Sequence, residues 1–195
     1  MTKRLVWLLL AGGVGLGCMA IARADTYDNL TFTLLNGGAI AGPPGATVGW
    51  GFTLTNSENY VVISASEFDT TQNGGDGTYS DFIGPDFVVV GPANGFGDFP
   101  TVTQDFGLNS GVGSFTISPT ATIGDMVLGE SVLTFDVYSV SPNDPSFNPI
   151  GDTLANGLQI SAPAEVLVTP EPSTGLLLLA AGLGLLVRRP RRLDA

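Results

Sequence analysis

Between residues 25 and 169, this 195-residue chain has no lysine, arginine, histidine or cysteine. All seven basic side chains lie outside that stretch: Lys3, Arg4 and Arg23 precede it, and Arg188, Arg189, Arg191 and Arg192 follow it. The one cysteine, Cys18, also precedes it. Of the 18 acidic residues only Glu171 and Asp194 fall beyond it, so these 145 residues carry sixteen carboxylates and no compensating cation. Each absence excludes a class of function. Nucleic-acid binding needs cations to replace phosphate counterions, and this segment has none. Its field repels DNA, RNA and anionic lipid headgroups alike. A Ser–His–Asp triad, a Cys–His pair and a Ser–Lys dyad cannot be built, nor can a zinc site of histidine or cysteine. No disulfide can staple it. Carboxylates, hydroxyls, amides and backbone groups remain, which suit calcium binding or acid–base work by a carboxylate pair as in glycosidases.

The chain ends have a different composition from the middle. Lys3 and Arg4 precede an apolar run over residues 5–17, followed by Ala22-Arg23-Ala24. A charged start, a 13-residue apolar run and small residues at −3 and −1 make a secretory signal peptide over residues 1–24. Cleavage is expected between Ala24 and Asp25. The run is short for a membrane span, which needs roughly 17–25 residues. A lipoprotein would acylate Cys18 instead, but Gly15 stands where a lipobox expects leucine or a similar side chain.

At the other end, Pro170-Glu171-Pro172-Ser173-Thr174 is followed by GLLLLAAGLGLLV over residues 175–187 and then by Arg188, Arg189, Pro190, Arg191 and Arg192. An apolar stretch halted by arginines is a stop-transfer layout, with the cations held on the cytoplasmic side. As a helix it would cover ~20 Å of a hydrocarbon core ~30 Å thick. It suits transient presentation to a membrane enzyme better than permanent anchoring. The order Pro-Glu-Pro, apolar helix and arginine cluster over residues 170–195, paired with an N-terminal signal, resembles the PEP-CTERM sorting signal. That resemblance implies recognition by an exosortase, an integral-membrane enzyme of the cysteine transpeptidase type, in a Gram-negative bacterium that makes exopolysaccharide. Pro170, Glu171 and Pro172 would be its sorting motif. It implies nothing about the activity of the passenger.

The passenger, residues 25–169, shows period-2 alternation in short blocks. Leu30, Phe32 and Leu34 share one face; so do Val48, Trp50, Phe52 and Leu54; and so do Val61, Ile63 and Ala65. Phe115 with Ile117, then Leu133, Phe135 and Val137, and finally Leu158, Ile160, Ala162, Ala164, Val166 and Val168 repeat the pattern. Residues 87–90 form a short continuous apolar run. This is strand periodicity, and Gly, Pro, Asn and Asp clusters punctuate it. About seven short strands without an amphipathic helix predict one all-β domain, an antiparallel Ig-like β-sandwich flanked by the signal helix and the C-terminal apolar helix. Gly45-Ala46-Thr47-Val48, leading to Leu54-Thr55-Asn56, resembles the strand openings of bacterial Ig-like surface modules. Pro163 within the last block predicts an edge strand or a bulge.

Glu67, Asp69, Asn73, Asp76 and Asp81 crowd a Gly-rich stretch, SEFDTTQNGGDGTYSD, and hard oxygens converging on a small-residue loop are what calcium takes. The spacing departs from an EF-hand, and a long, solvated acidic hairpin loop is the favoured reading over a calcium site. Asn143, Asp144, Asn148 and Asp152 form a sparser group of the same kind. Tyr60, Tyr79, Phe96 and Phe99 could stack on sugar rings or pack in the core. Gly151-Asp152-Thr153-Leu154 is a poor match to Gly-Asp-Ser-Leu hydrolases, since threonine replaces the serine and no histidine exists. These readings predict an exported, non-catalytic surface or extracellular-matrix protein linked to exopolysaccharide or biofilm, crossing the inner membrane transiently. A polysaccharide-binding or adhesive module, with or without calcium, is the alternative, and an extracellular glycosidase is a distant third.

Overall fold

A computed structural model describes residues 27–171 apart from 94, 96–98 and 108. Among them eleven strands and two 3-10 turns occur, and no α-helix. The strands are β1 (Leu30–Leu34), β2 (Ala39–Gly42), β3 (Thr47–Trp50), β4 (Phe52–Asn56), β5 (Tyr60–Gln72) and β6 (Gly77–Asp81). They continue with β7 (Val88–Val90), β8 (Thr101–Gln104), β9 (Gly113–Ile117), β10 (Met126–Tyr138) and β11 (Thr153–Val168). The predicted signal helix and C-terminal helix lie outside the described residues.

One layer is a five-stranded sheet ordered β2-β11-β10-β5-β7, antiparallel except where β2 runs parallel to β11. The other consists of β1-β4-β8 and β3-β9-β6. These two short sheets follow one another because β3 and β4 are a single run broken at Gly51, while β8 and β9 are parted by residues 105–112. Hydrogen bonds Leu35 N→Gly51 O and Val112 N→Trp50 O, each 2.9 Å, knit the break. A side chain at Gly51 would stand 2.7 Å from Gln104 O, so the break needs glycine.

The alternation read from the sequence sets the inner faces. Leu30, Phe32, Leu34, Trp50, Phe52, Leu54, Phe115, Ile117, Leu133, Phe135, Val137, Val166 and Val168 are all buried in one core. Across the layers Phe68 packs on Trp50 at 5.0 Å and on Phe115 at 5.7 Å, ring centre to ring centre. The architecture is therefore all-β and sandwich-like, with both antiparallel and mixed pairing. Trp50 also donates its indole N–H to Gly38 O at 2.8 Å. Gly38 has φ +81°, and a Cβ there would lie 2.1 Å from Pro163 O.

The structure departs from the expected pattern at three points. First, eleven strands replace about seven, because β2, β6 and β8 lack apolar alternation and one expected strand is split at Gly51. Second, β11 as a whole is not an edge strand: it lies between β10 and β2. Its pairing with β2 starts only at Glu165, so Pro163 sits where no strand needs its missing N–H on that side. The β10–β11 ladder runs through Pro163 without a register shift. Third, β5 changes phase. Thr134 pairs with Ala65 and Phe135 with Ile63, which leaves Ser64 as a bulge. The extra residue turns Ser66 and Phe68 inward, where strict alternation from Ile63 would have put Ala65.

Candidate functional site

The five residues of the acidic stretch are not brought together. Glu67 and Asp69 are exposed on β5, whereas Asp81 ends β6 in the opposite layer. Asn73 and Asp76 occupy the short connector between the layers, where Asn73 adopts φ +54° and donates its amide to Met126 O at 2.9 Å. Asp81 is engaged with its own surroundings: Oδ1 accepts from Ile83 N at 2.8 Å and Oδ2 from Gly84 N at 3.1 Å. Among the described residues no three acidic side chains converge as a metal-binding group.

The phase change in β5 builds an interior polar cluster instead. The Ser66 hydroxyl lies 2.8 Å from both Tyr79 OH and Val112 O, and it also donates to Asp81 Oδ1. Burial pushes the Tyr79 phenol well above its ordinary value of 10, and the Asp81 and Glu67 charges push in the same direction against the Ser66 hydrogen bond. The cluster ties β5, β6 and the end of the 105–112 segment together, and its acceptors are already occupied. It holds the two layers together. Sequence reading missed Ser66 because the bulge at Ser64 has no signature in composition.

The second acidic group is likewise committed to its own loop. Asp144 accepts from Ser146 N at 2.8 Å and from the Ser146 hydroxyl at 2.7 Å, which holds its carboxyl below the ordinary carboxylate value. Asp152 accepts from Asn148 N at 2.7 Å, and Asn148 accepts from Ile150 N and Gly151 N. These turns stiffen the segment between β10 and β11 and place Phe147 edge-on to Tyr138, 5.1 Å between ring centres.

Two shallow grooves lie on the outer side of the five-stranded sheet. One, about 290 Å³, is lined by Glu130 and Glu165 with Thr71, Leu128 and Pro163. The other, about 240 Å³, is lined by Val62, Ser64, Phe87, Asp136, Tyr138, Pro142 and Phe147. Of the four aromatics picked from the sequence, Tyr79 packs inward against Trp50, Tyr60 is half-buried on β5, Phe99 is exposed, and Phe96 lies outside the described residues. The aromatics that line the second of these grooves, Phe87, Tyr138 and Phe147, were not among them. Spacing gave no signal, since fifty residues separate the first ring from the next.

Pro170 and Glu171 of the sorting motif follow β11 after Thr169 and are exposed. Pro172, the signal-cleavage residues Ala22 and Ala24, and Arg188, Arg189, Arg191 and Arg192 lie outside the described residues.

Comparison with known proteins adds little. No protein-family model and no curated protein matches the chain. Among solved structures, WR4, a C. elegans MSP family member, aligns over 72% of this chain and 98% of its own at 6% identity. The TM-score of 0.34 is too low for that likeness to carry an argument.

Proposed function

We propose that the chain is an exported, non-catalytic protein whose immunoglobulin-like β-sandwich is delivered to the cell surface or extracellular matrix of a Gram-negative bacterium by an exosortase-type enzyme. It serves the exopolysaccharide or biofilm layer there. The observation that carries this reading is the ordered triplet at residues 170–195, Pro-Glu-Pro, apolar run and arginines, opposite an N-terminal signal. The fold supports it in one respect. The core is complete by Val168, and the chain emerges at Pro170 and Glu171 in the open. Two prolines keep that segment extended, the form a peptide-cleaving enzyme binds, with Glu171 as a charged recognition point. Non-catalytic character is supported by the lack of any histidine, cysteine or lysine from 25 to 169 and by the commitment of Asp81, Asp144 and Asp152 to backbone donors.

Mass spectrometry of the product from its native host tests the reading. The mature chain is expected to begin at Asp25 and end near Pro172, without a lysine or arginine. A surface form still carrying residues 188–195 would reduce the tail to an ordinary anchor, as would unchanged processing after Pro170→Ala with Pro172→Ala. Carboxylate-dependent turnover of a polysaccharide would replace the non-catalytic reading with the glycosidase one.

A further inference from the structure

We propose that the groove beneath Phe87 and Phe147 is a binding site for an uncharged saccharide chain; this deepens the matrix role above by naming what the passenger holds. Three rings from three separate parts of the chain meet there: Tyr138 on β10, Phe147 from the stiffened segment after it, and Phe87 just before β7. Phe87 is 56% exposed and has φ +50°, a conformation that bulky residues rarely adopt. A hydrogen bond from its N–H to Ile83 O, 2.8 Å, holds it there. Core packing does not require that strain, because the ring points away from the core. Backbone strain of this kind gathers at ligand-contacting positions.

The polar groups in the groove select the ligand class. Asp136 Oδ1 accepts from Gly157 N at 2.7 Å, and among the described residues Oδ2 has a long 3.5 Å contact from Tyr138 OH. An ionised carboxylate has about four lone-pair sites, so acceptor capacity remains for hydroxyl donors. Ser64, left out of the β5–β10 register by its bulge, lines the wall as well; its hydroxyl donates to Thr134 O at 3.3 Å and keeps its lone pairs for a hydroxyl donor. Aromatic faces carry negative charge density that attracts the polarised C–H groups of a pyranose ring. Rings plus a hydroxyl-accepting carboxylate therefore match a sugar better than a purely apolar peptide. Charge decides the subclass. With sixteen carboxylates and no base between residues 25 and 169, uronate-bearing, sulfated or phosphorylated polymers are repelled, and neutral ones are not.

Affinity electrophoresis of the full chain in a mild non-ionic detergent, through gels holding a neutral β-glucan, a neutral α-glucan, a galactomannan or alginate, tests the proposal. Retardation is expected by at least one neutral polymer and not by alginate. Phe87→Ala and Phe147→Ala should each weaken it at least tenfold, while Phe99→Ala, at a residue 75% exposed elsewhere, leaves it unchanged. Phe87→Ala is the safer of the two variants, since removing a largely exposed, strained ring threatens the fold least. Three results overturn the proposal: no retardation by any of the neutral polymers, equal retardation by alginate, or indifference to both groove substitutions. None of these outcomes bears on processing of the tail in the host, so the sorting reading stands or falls separately.

Discussion

At the scale of single residues, two buried serines make opposite predictions for the same substitution. Ser66 gives its hydroxyl to a cluster of Tyr79, Asp81 and Val112 O, so Ser66→Ala leaves several buried partners short. The expected loss is ~1–3 kcal/mol, read from urea unfolding. Ser131 is buried more deeply still, but its hydroxyl has no partner among the described residues. Ser131→Ala removes an unsatisfied polar group from the core and should be neutral or stabilising by up to about 1 kcal/mol. Equal losses at the two sites would mean that the Ser66 cluster contributes nothing beyond volume. Tyr79 extends the argument to pH. Its folded-state phenol ionises above the unfolded value of 10, so the stability it contributes is fully present below pH 10 and is lost as pH rises beyond that. The wild type should therefore lose stability above pH 10 more steeply than Tyr79→Phe, whose unfolded state has one phenol fewer to ionise. Parallel alkaline slopes would show that Tyr79 titrates alike in both states.

At the scale of elements, the bulge in β5 decides which half of the strand faces which way. Deleting Ser64 would remove the extra residue and leave Ile63 and Ala65 adjacent, as their partners Phe135 and Thr134 are, so Phe68 keeps its inward place on Trp50 and Phe115. The deletion should therefore cost less than Phe68→Ala, which empties a buried phenylalanine site at ~3–5 kcal/mol. Denaturant midpoints of the two variants make the comparison, and a deletion as costly as Phe68→Ala would show that the bulge does more than set the phase of the strand. The connector between β5 and β6 carries another expectation. With no three acidic side chains converging among the described residues, Ca²⁺ and Mg²⁺ at equal millimolar concentration should raise the melting temperature alike. A larger calcium response abolished by Asp69→Asn with Asp76→Asn would restore a specific site there. These two regions also mark how far the sequence could be read. Leu30 to Leu34 and Leu133 to Val137 were legible because strict alternation writes the inner face directly. Ala39–Gly42, Gly77–Asp81 and Thr101–Gln104 were not legible, because they become strands through pairing with neighbouring strands rather than through apolar pattern. The aromatic groove was illegible for a related reason. Its rings converge only after β5, β10 and the turn before β7 have been laid side by side.

At the scale of the whole molecule, the two outer faces divide the charge unevenly. Across β1, β4 and β8 the outward positions are threonines in register: Thr31 opposite Thr55 opposite Thr101, and Thr33 opposite Thr53 opposite Thr103. Cross-strand hydroxyl pairs, 3.0 Å between Thr53 and Thr103, knit that face without a carboxylate. The five-stranded sheet bears acids instead. Asp69 on β5 stands directly opposite Glu130 on β10, and Glu165 on β11 lies diagonally beyond. Like charges facing across a ladder oppose folding, and no cation between residues 25 and 169 relieves them. Stability should therefore rise with salt as the Debye length falls from ~30 Å at 0.01 M to ~3 Å at 1 M. For a domain of this size each kcal/mol recovered corresponds to roughly 2–4 °C in melting temperature. Glu130→Gln separates the specific clash from general self-repulsion. At 0.01 M NaCl it should raise the melting temperature more than Asp86→Asn, which removes an equal charge from an exposed turn. At 1 M NaCl the two variants should converge. A melting temperature indifferent to salt, or equal gains from both substitutions at low salt, would mean that the Asp69–Glu130 pairing imposes no local cost and that the carboxylates act only through net charge.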